Sequence, residues 1–76
     1  MEQREMTFGE KAVGLTFNPS NDQSVEFIKR KCADLIDELH NMRGKIGPDQ
    51  DRMLSIAITE LQTAQMWAVK AVTWKF

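Results

Sequence analysis

From Pro48 to Phe76 the chain contains no glycine and no further proline. The simplest solution for so long an uninterrupted stretch is one helix over about 48–75, about 43 Å long at 1.5 Å per residue. Pro48 suits a first helical turn, and Asp49 and Asp51 complement the positive end of the helix dipole. Leu54, Ala57, Ile58, Leu61, Ala64, Ala68, Ala71 and Val72 fall on one face. Met53, Ile56, Met66, Trp67, Val69 and Trp74 carry apolar character well beyond it. A helix that is apolar on more than one side is buried on more than one side. A single partner helix covers only one of those sides, so the pattern calls for self-association. Trp67 and Trp74 are seven residues apart and point the same way, as in a heptad-like seam. They read as packing residues in preference to ligand-stacking ones.

The rest of the chain is punctuated by Gly14, Gly44, Gly47 and Pro19. Thr7 followed by Glu10 is a capping-box pattern, so a short helix is expected over about 7–13, stopped by Gly14 and weakened by Gly9. Leu15-Thr16-Phe17-Asn18 reads as extended, because Pro19 disfavours helical geometry at Asn18. A second helix is expected over about 21–43, with Ser20 and Gln23 as its capping box and Asp22 at its positive end. Its apolar positions are Val25, Ile28, Cys32, Leu35, Leu39 and Met42, an alternation of three and four that marks an amphipathic stripe. Ile36 widens that stripe, Phe27 lies off it, and Gly44 ends the helix with Arg43 at its negative end. The expected fold class is therefore all-α: a short N-terminal helix followed by a long antiparallel helical hairpin, homo-oligomeric, with residues 1–76 as one domain.

Size supports the oligomer. A chain of 76 residues buries only about 60% of its unfolded surface alone, and small scaffolds need a staple. Cys32 is the sole cysteine and His40 the sole histidine, which excludes an internal disulfide and zinc-ligand spacing. Partner subunits remain as the staple. Net charge is −1 with 28% charged residues, unlike the basic surface of a duplex-DNA binder. Met1-Glu2-Gln3-Arg4-Glu5 is polar, so no signal peptide is expected. No apolar run approaches the ~18 residues of a membrane span. A cytosolic protein with a free thiol fits these features.

Catalytic chemistry finds little support. His40 reads as a solvated residue at a helix end, and Cys32 as a small core residue. Asp34, Asp37 and Glu38 read as a solvated acidic face, not as a metal or acid–base cluster. Lys29-Arg30-Lys31 cannot share one face, because successive helix positions are about 100° apart. Lys29 borders the apolar stripe, where its stem can lie on an interface and its ammonium can meet an anion. Lys29 lies about 12 Å along the axis from Asn21. A site joining it to the Phe17 loop is therefore expected to combine different subunits. No enzyme activity, cofactor or metal is expected.

Two strings carry a resemblance. One is Gly14-Leu15-Thr16-Phe17-Asn18-Pro19-Ser20 with Val25, Ile28-Lys29 and Leu35-Ile36-Asp37. The other is Ala57-Ile58-Thr59 followed by Ala64-Gln65-Met66-Trp67-Ala68-Val69-Lys70-Ala71. Together they resemble the phage sponges that sequester cyclic-nucleotide signals of bacterial immunity, the anti-CBASS and anti-Thoeris helical hairpin proteins. The resemblance implies a homohexamer in the host bacterial cytoplasm, with pockets between protomers. It implies binding without cleavage of cyclic dinucleotides, cyclic trinucleotides or cyclic ADP-ribose isomers. A family dinucleotide site uses an aromatic before the long helix and a lysine in its first turns; the matches here are Phe17 and Lys29, with Phe8 as a competing aromatic. For a trinucleotide site the candidates are Lys31 and Lys70. A twofold interface would present one lysine and one aromatic twice, matching the two phosphates and two bases of a cyclic dinucleotide. The alternative reading, which needs no resemblance, is a small helical assembly module with no nucleotide ligand.

Overall fold

The computed structural model describes residues 4–75. Three helices follow in order: α1 Phe8–Val13, α2 Gln23–Met42 and α3 Pro48–Thr73. The Cα trace is only 12 Å deep, about one helix diameter, so the helices lie side by side in a single layer. α2 and α3 run antiparallel. Arg43 near the turn bonds Ser55, Ile36 and Ile58 share the core, and Val25 and Lys29 share a concavity with Val69 and Thr73.

α1 is held by its ends. The Thr7 hydroxyl accepts the Glu10 N–H, the Glu10 carboxylate accepts the Thr7 N–H, and Gly14 closes the helix in left-handed geometry at φ 62°. Gly9 weakens the helix intrinsically but permits its docking. A β-carbon there would stand 2.1 Å from the Ala33 carbonyl oxygen. The backbone of α1 therefore rests directly on α2, with the Gly9 N–H donating to Asp37 Oδ1 at 2.7 Å.

α2 starts later than the capping pattern suggested. Asp22, not Ser20, is the N-cap, and its carboxylate accepts the Ser24 N–H. The side chain of Asn18 fastens the loop ahead of it, donating to the Asp22 carbonyl and accepting the Asp22 N–H. Asn21 takes a positive φ of 53°, which asparagine tolerates better than most residues. At the other end Arg43 is the C-cap, and the Gly44 N–H beyond it donates to Asp51. Asp51 thus tethers the turn as well as lying in the first turn of α3.

The buried faces are rotated from the apolar stripes. On α2 the buried line is Val25, Lys29, Ala33 and Ile36, whereas Leu35 and Met42 are exposed. On α3 Ile58 and Gln65 are buried, whereas Ala64, Ala71 and Val72 are exposed and Val69 is half-buried. Counting apolar residues misplaced these centres because a lysine, an alanine and a glutamine occupy them. Cys32 is half-buried against the core, and burial raises its thiol pKa.

The largest polar element at the α1–α2 interface is Glu10, which is 2% exposed. It forms ion pairs with Arg4 and Arg30, the latter also paired with Asp34. The bonds from Arg4, Thr7 and Arg30 hold its pKa far below the usual carboxylate range. Because α1, α2 and α3 form one layer, large apolar side chains remain outside the core. They include Phe27, Met53, Ile56, Met66, Trp67 and Trp74.

Candidate functional site

The site is centred on Lys29, one turn beyond Val25 on the buried line of α2. Lys29 is 5% exposed. Its ammonium donates to the carbonyls of Gly14, at 2.9 Å, and Phe17. The ion pairs among the described residues involve Arg4, Arg30, Glu10 and Asp34, so the Lys29 charge faces carbonyl dipoles and no carboxylate. Burial pushes its pKa below the ordinary lysine value. An ammonium has three N–H donors, and two are used by the loop.

Phe17 lies beside it. The Lys29 Nζ stands 5.3 Å from the ring centroid, within cation–π range, and Phe17 as a whole is 72% exposed. Expectation and structure differ here. Distance along the helix axis implied that Phe17 and Lys29 would meet only between subunits, but they meet within one chain. The left-handed turn at Gly14, with the Phe17 N–H donating to the Gly14 carbonyl, folds the loop back along α2. The Asn18 bonds hold it there. Distance to the start of the helix was therefore the wrong measure.

Two concavities adjoin the pair. One, of about 230 Å³, is lined by Phe17, Pro19, Val25, Lys29, Val69 and Thr73. The other, of about 520 Å³, includes Gly14, Phe17, Lys29, Gln65, Met66 and Val69. Both walls are mainly apolar; Lys29 is the cation they share, and Lys11 also borders the larger one. Gln65 and Val69 were not among the residues singled out from the sequence for this site. A polar residue seven positions after Ile58, on the line that α3 turns inward, was the available signal for Gln65.

The other candidates lie elsewhere. Phe8 stacks on His40, with centroids 4.0 Å apart and planes within 5°, and Arg43 lies 5.3 Å from its ring. His40 is therefore a half-buried packing partner, not a solvated helix-end residue, and its Nδ1 meets Arg43 at 2.7 Å. From Lys29 to His40 is about 16 Å along α2, so Phe8 does not join the Lys29 site. Asp37, expected to be solvated, is the acceptor for Gly9. Lys31 lies 5.5 Å from the exposed Phe27 ring. Lys70 lies 5.1 Å from Trp67 and 5.3 Å from Trp74, and with Ala71 these line a separate open concavity of about 380 Å³.

Fold and site together define a small helical hairpin protein with a buried lysine and an exposed aromatic at one pocket, a site suited to holding an anionic ligand with a flat ring. The family model of the Acb2/Tad1 hairpin domain matches residues 10–73, and the chain belongs to this family of phage cyclic-nucleotide sponges. No curated protein and no solved structure matches the chain. No helix among the described residues is long and apolar enough to cross a membrane.

Proposed function

We propose that this protein binds cyclic oligonucleotide immune messengers and withholds them from their effectors without cleaving them. It acts as a phage anti-defence protein in the host bacterial cytoplasm. The ligands are cyclic di- or trinucleotides, with cyclic ADP-ribose isomers as the further class known to the family. The observation that carries this reading is Lys29: a buried ammonium with no carboxylate partner among the described residues, beside an aromatic ring available for stacking. A buried charge is costly unless paired. A phosphate oxygen supplies the missing countercharge, and a base stacked on Phe17 contributes about 1–3 kcal/mol.

The assembly is a homo-oligomer, a hexamer by family, built on the apolar surface that the single-layer fold leaves outside its core. Pairing two copies of the Phe17–Lys29 site about a twofold axis would present two cations and two rings to one cyclic dinucleotide. Because Phe17 and Lys29 meet within one chain, each chain would bring a half-site to such a pocket.

The test is recovery of intact ligand. The protein is mixed with a panel of cyclic di- and trinucleotides and cyclic ADP-ribose isomers, and free ligand is measured before and after heat denaturation. Depletion followed by return of unchanged ligand is expected. Return of a hydrolysed product would indicate an enzyme. Oligomers that neither deplete nor are stabilised by any member of the panel would leave the assembly module as the better reading.

A further inference from the structure

We propose that Gln65 reads the edge of the base held at the Phe17–Lys29 pocket and favours adenine; the inference rests on the function proposed above. Gln65 is 7% exposed, and its Oε1 is the buried side-chain polar atom left without a hydrogen-bond partner among the described residues. The other two buried polar side chains among the described residues both have hydrogen-bond partners. Glu10 receives Arg4, Arg30 and Thr7, and Lys29 donates to two carbonyls. A buried acceptor without a donor bears its full desolvation cost. Methionine or leucine at this position of α3 would avoid it.

The location gives that cost a use. Gln65 lines the same concavity as Phe17, Lys29 and Val69, so one ligand can lie against all four residues, with Gln65 Oε1 turned away from the open space until the amide rotates. The division of labour follows from residue chemistry. Lys29 meets phosphate, the Phe17 ring takes a base face, and Gln65 addresses the base edge. A carboxamide offers an acceptor and a donor side by side. Adenine N6–H and N7 present the complementary pair, to which glutamine bonds in bidentate fashion. The terminal torsion of glutamine is soft, so the amide can rotate to bring Oε1 and Nε2 together to the base edge. Guanine presents two acceptors on the corresponding edge and leaves Oε1 without a donor.

The experiment is calorimetric titration of the full-length protein with three cyclic dinucleotides of equal charge. They carry adenine, hypoxanthine (which lacks the exocyclic amine) and 7-deazaadenine (which lacks the N7 acceptor). The wild type is expected to bind the adenine compound about tenfold or more tighter than the hypoxanthine compound, and several-fold tighter than the deaza compound. Gln65→Met should bring all three within about twofold of one another while the fold, followed by circular dichroism, is retained. Equal wild-type affinity for adenine and hypoxanthine would overturn the inference and leave the sponge reading intact. So would a preference that survives in Gln65→Met. Failure of the wild type to bind any of the three would overturn the inference together with the dinucleotide site proposed above. If Gln65→Met does not fold, the three wild-type affinities decide the matter: both preferences together support the bidentate contact, and the absence of either overturns it.

Discussion

Two lysines in this molecule sit beside aromatic rings at nearly the same distance, yet their surroundings differ. Lys29 lies 5.3 Å from Phe17 and is buried, with carbonyls around its ammonium. Lys70 lies 5.1 and 5.3 Å from Trp67 and Trp74 on an exposed surface. Water already solvates a charge of the second kind, so an anion gains little by replacing it. For Lys29 the desolvation cost has been met in folding, and in the proposed site a phosphate would receive the interaction at low local dielectric. Proximity to a ring alone does not distinguish them; burial without a countercharge does.

The largest expected effect is that of Lys29→Ala, which should weaken cyclic dinucleotide binding by about 100-fold, as loss of a charge-assisted bond implies. Titration against the wild type measures it, and unchanged affinity would remove Lys29 from the site. Phe17→Ala should follow at about tenfold or more, through lost stacking. Phe8→Ala should instead lower the melting temperature, because Phe8 packs on His40.

Lys29 also predicts opposite pH dependences for binding and folding. Its folded-state pKa lies below the usual 10.5. Affinity for an anion should therefore fall as pH rises through a window that opens below 10.5, and Lys29→Arg should abolish that fall. Between the two lysine pKa values the unfolded chain binds more protons, so the stability of the ligand-free protein should rise with pH there. Binding and thermal melts over the same alkaline series test both signs. A parallel trend in the two would contradict the assignment.

Glu10 is the paired counterpart of Lys29, buried but with two arginines. Its depressed pKa contributes stability that is fully present above the ordinary carboxylate range and is lost progressively as pH falls below that range towards the depressed folded-state pKa. Glu10→Gln should lower the melting temperature at neutral pH and flatten its acid dependence. The smallest effect belongs to Lys70→Ala, with dinucleotide affinity kept within about twofold, the size expected for an exposed charge. A loss comparable to that of Lys29→Ala would erase the contrast between the two lysines.

The three helices were legible in the sequence because their local signals agree. The Thr7–Glu10 capping box, the left-handed Gly14 and the first-turn Pro48 all appear in the structure. The facing of the helices was less legible. A count of apolar side chains passes over Lys29 and Gln65, and the stripe it drew on α2 missed Ala33; the structure places all three inside. The resemblance paired Phe17 with Lys29, but that they meet within one chain was not legible. It depends on the backbone turn at Gly14 and on side-chain bonds of Asn18, and neither is visible in a periodic pattern. Phe8 was a competing aromatic by sequence, and its stack on His40, away from Lys29, separates it from Phe17.

Lys29 holds the loop and, in the proposed site, also meets the ligand, which has a consequence for how the protein can change over generations. A substitution there alters the shape of the Phe17 loop and the charge of the pocket in a single step, so the two are inherited together. Phe17 and Gln65 line the same pocket without carrying that double burden. Drift in ligand preference can therefore proceed through the ring and the carboxamide while the lysine stays fixed. A lineage meeting a new messenger would have a stable anchor around which to vary its reading residues.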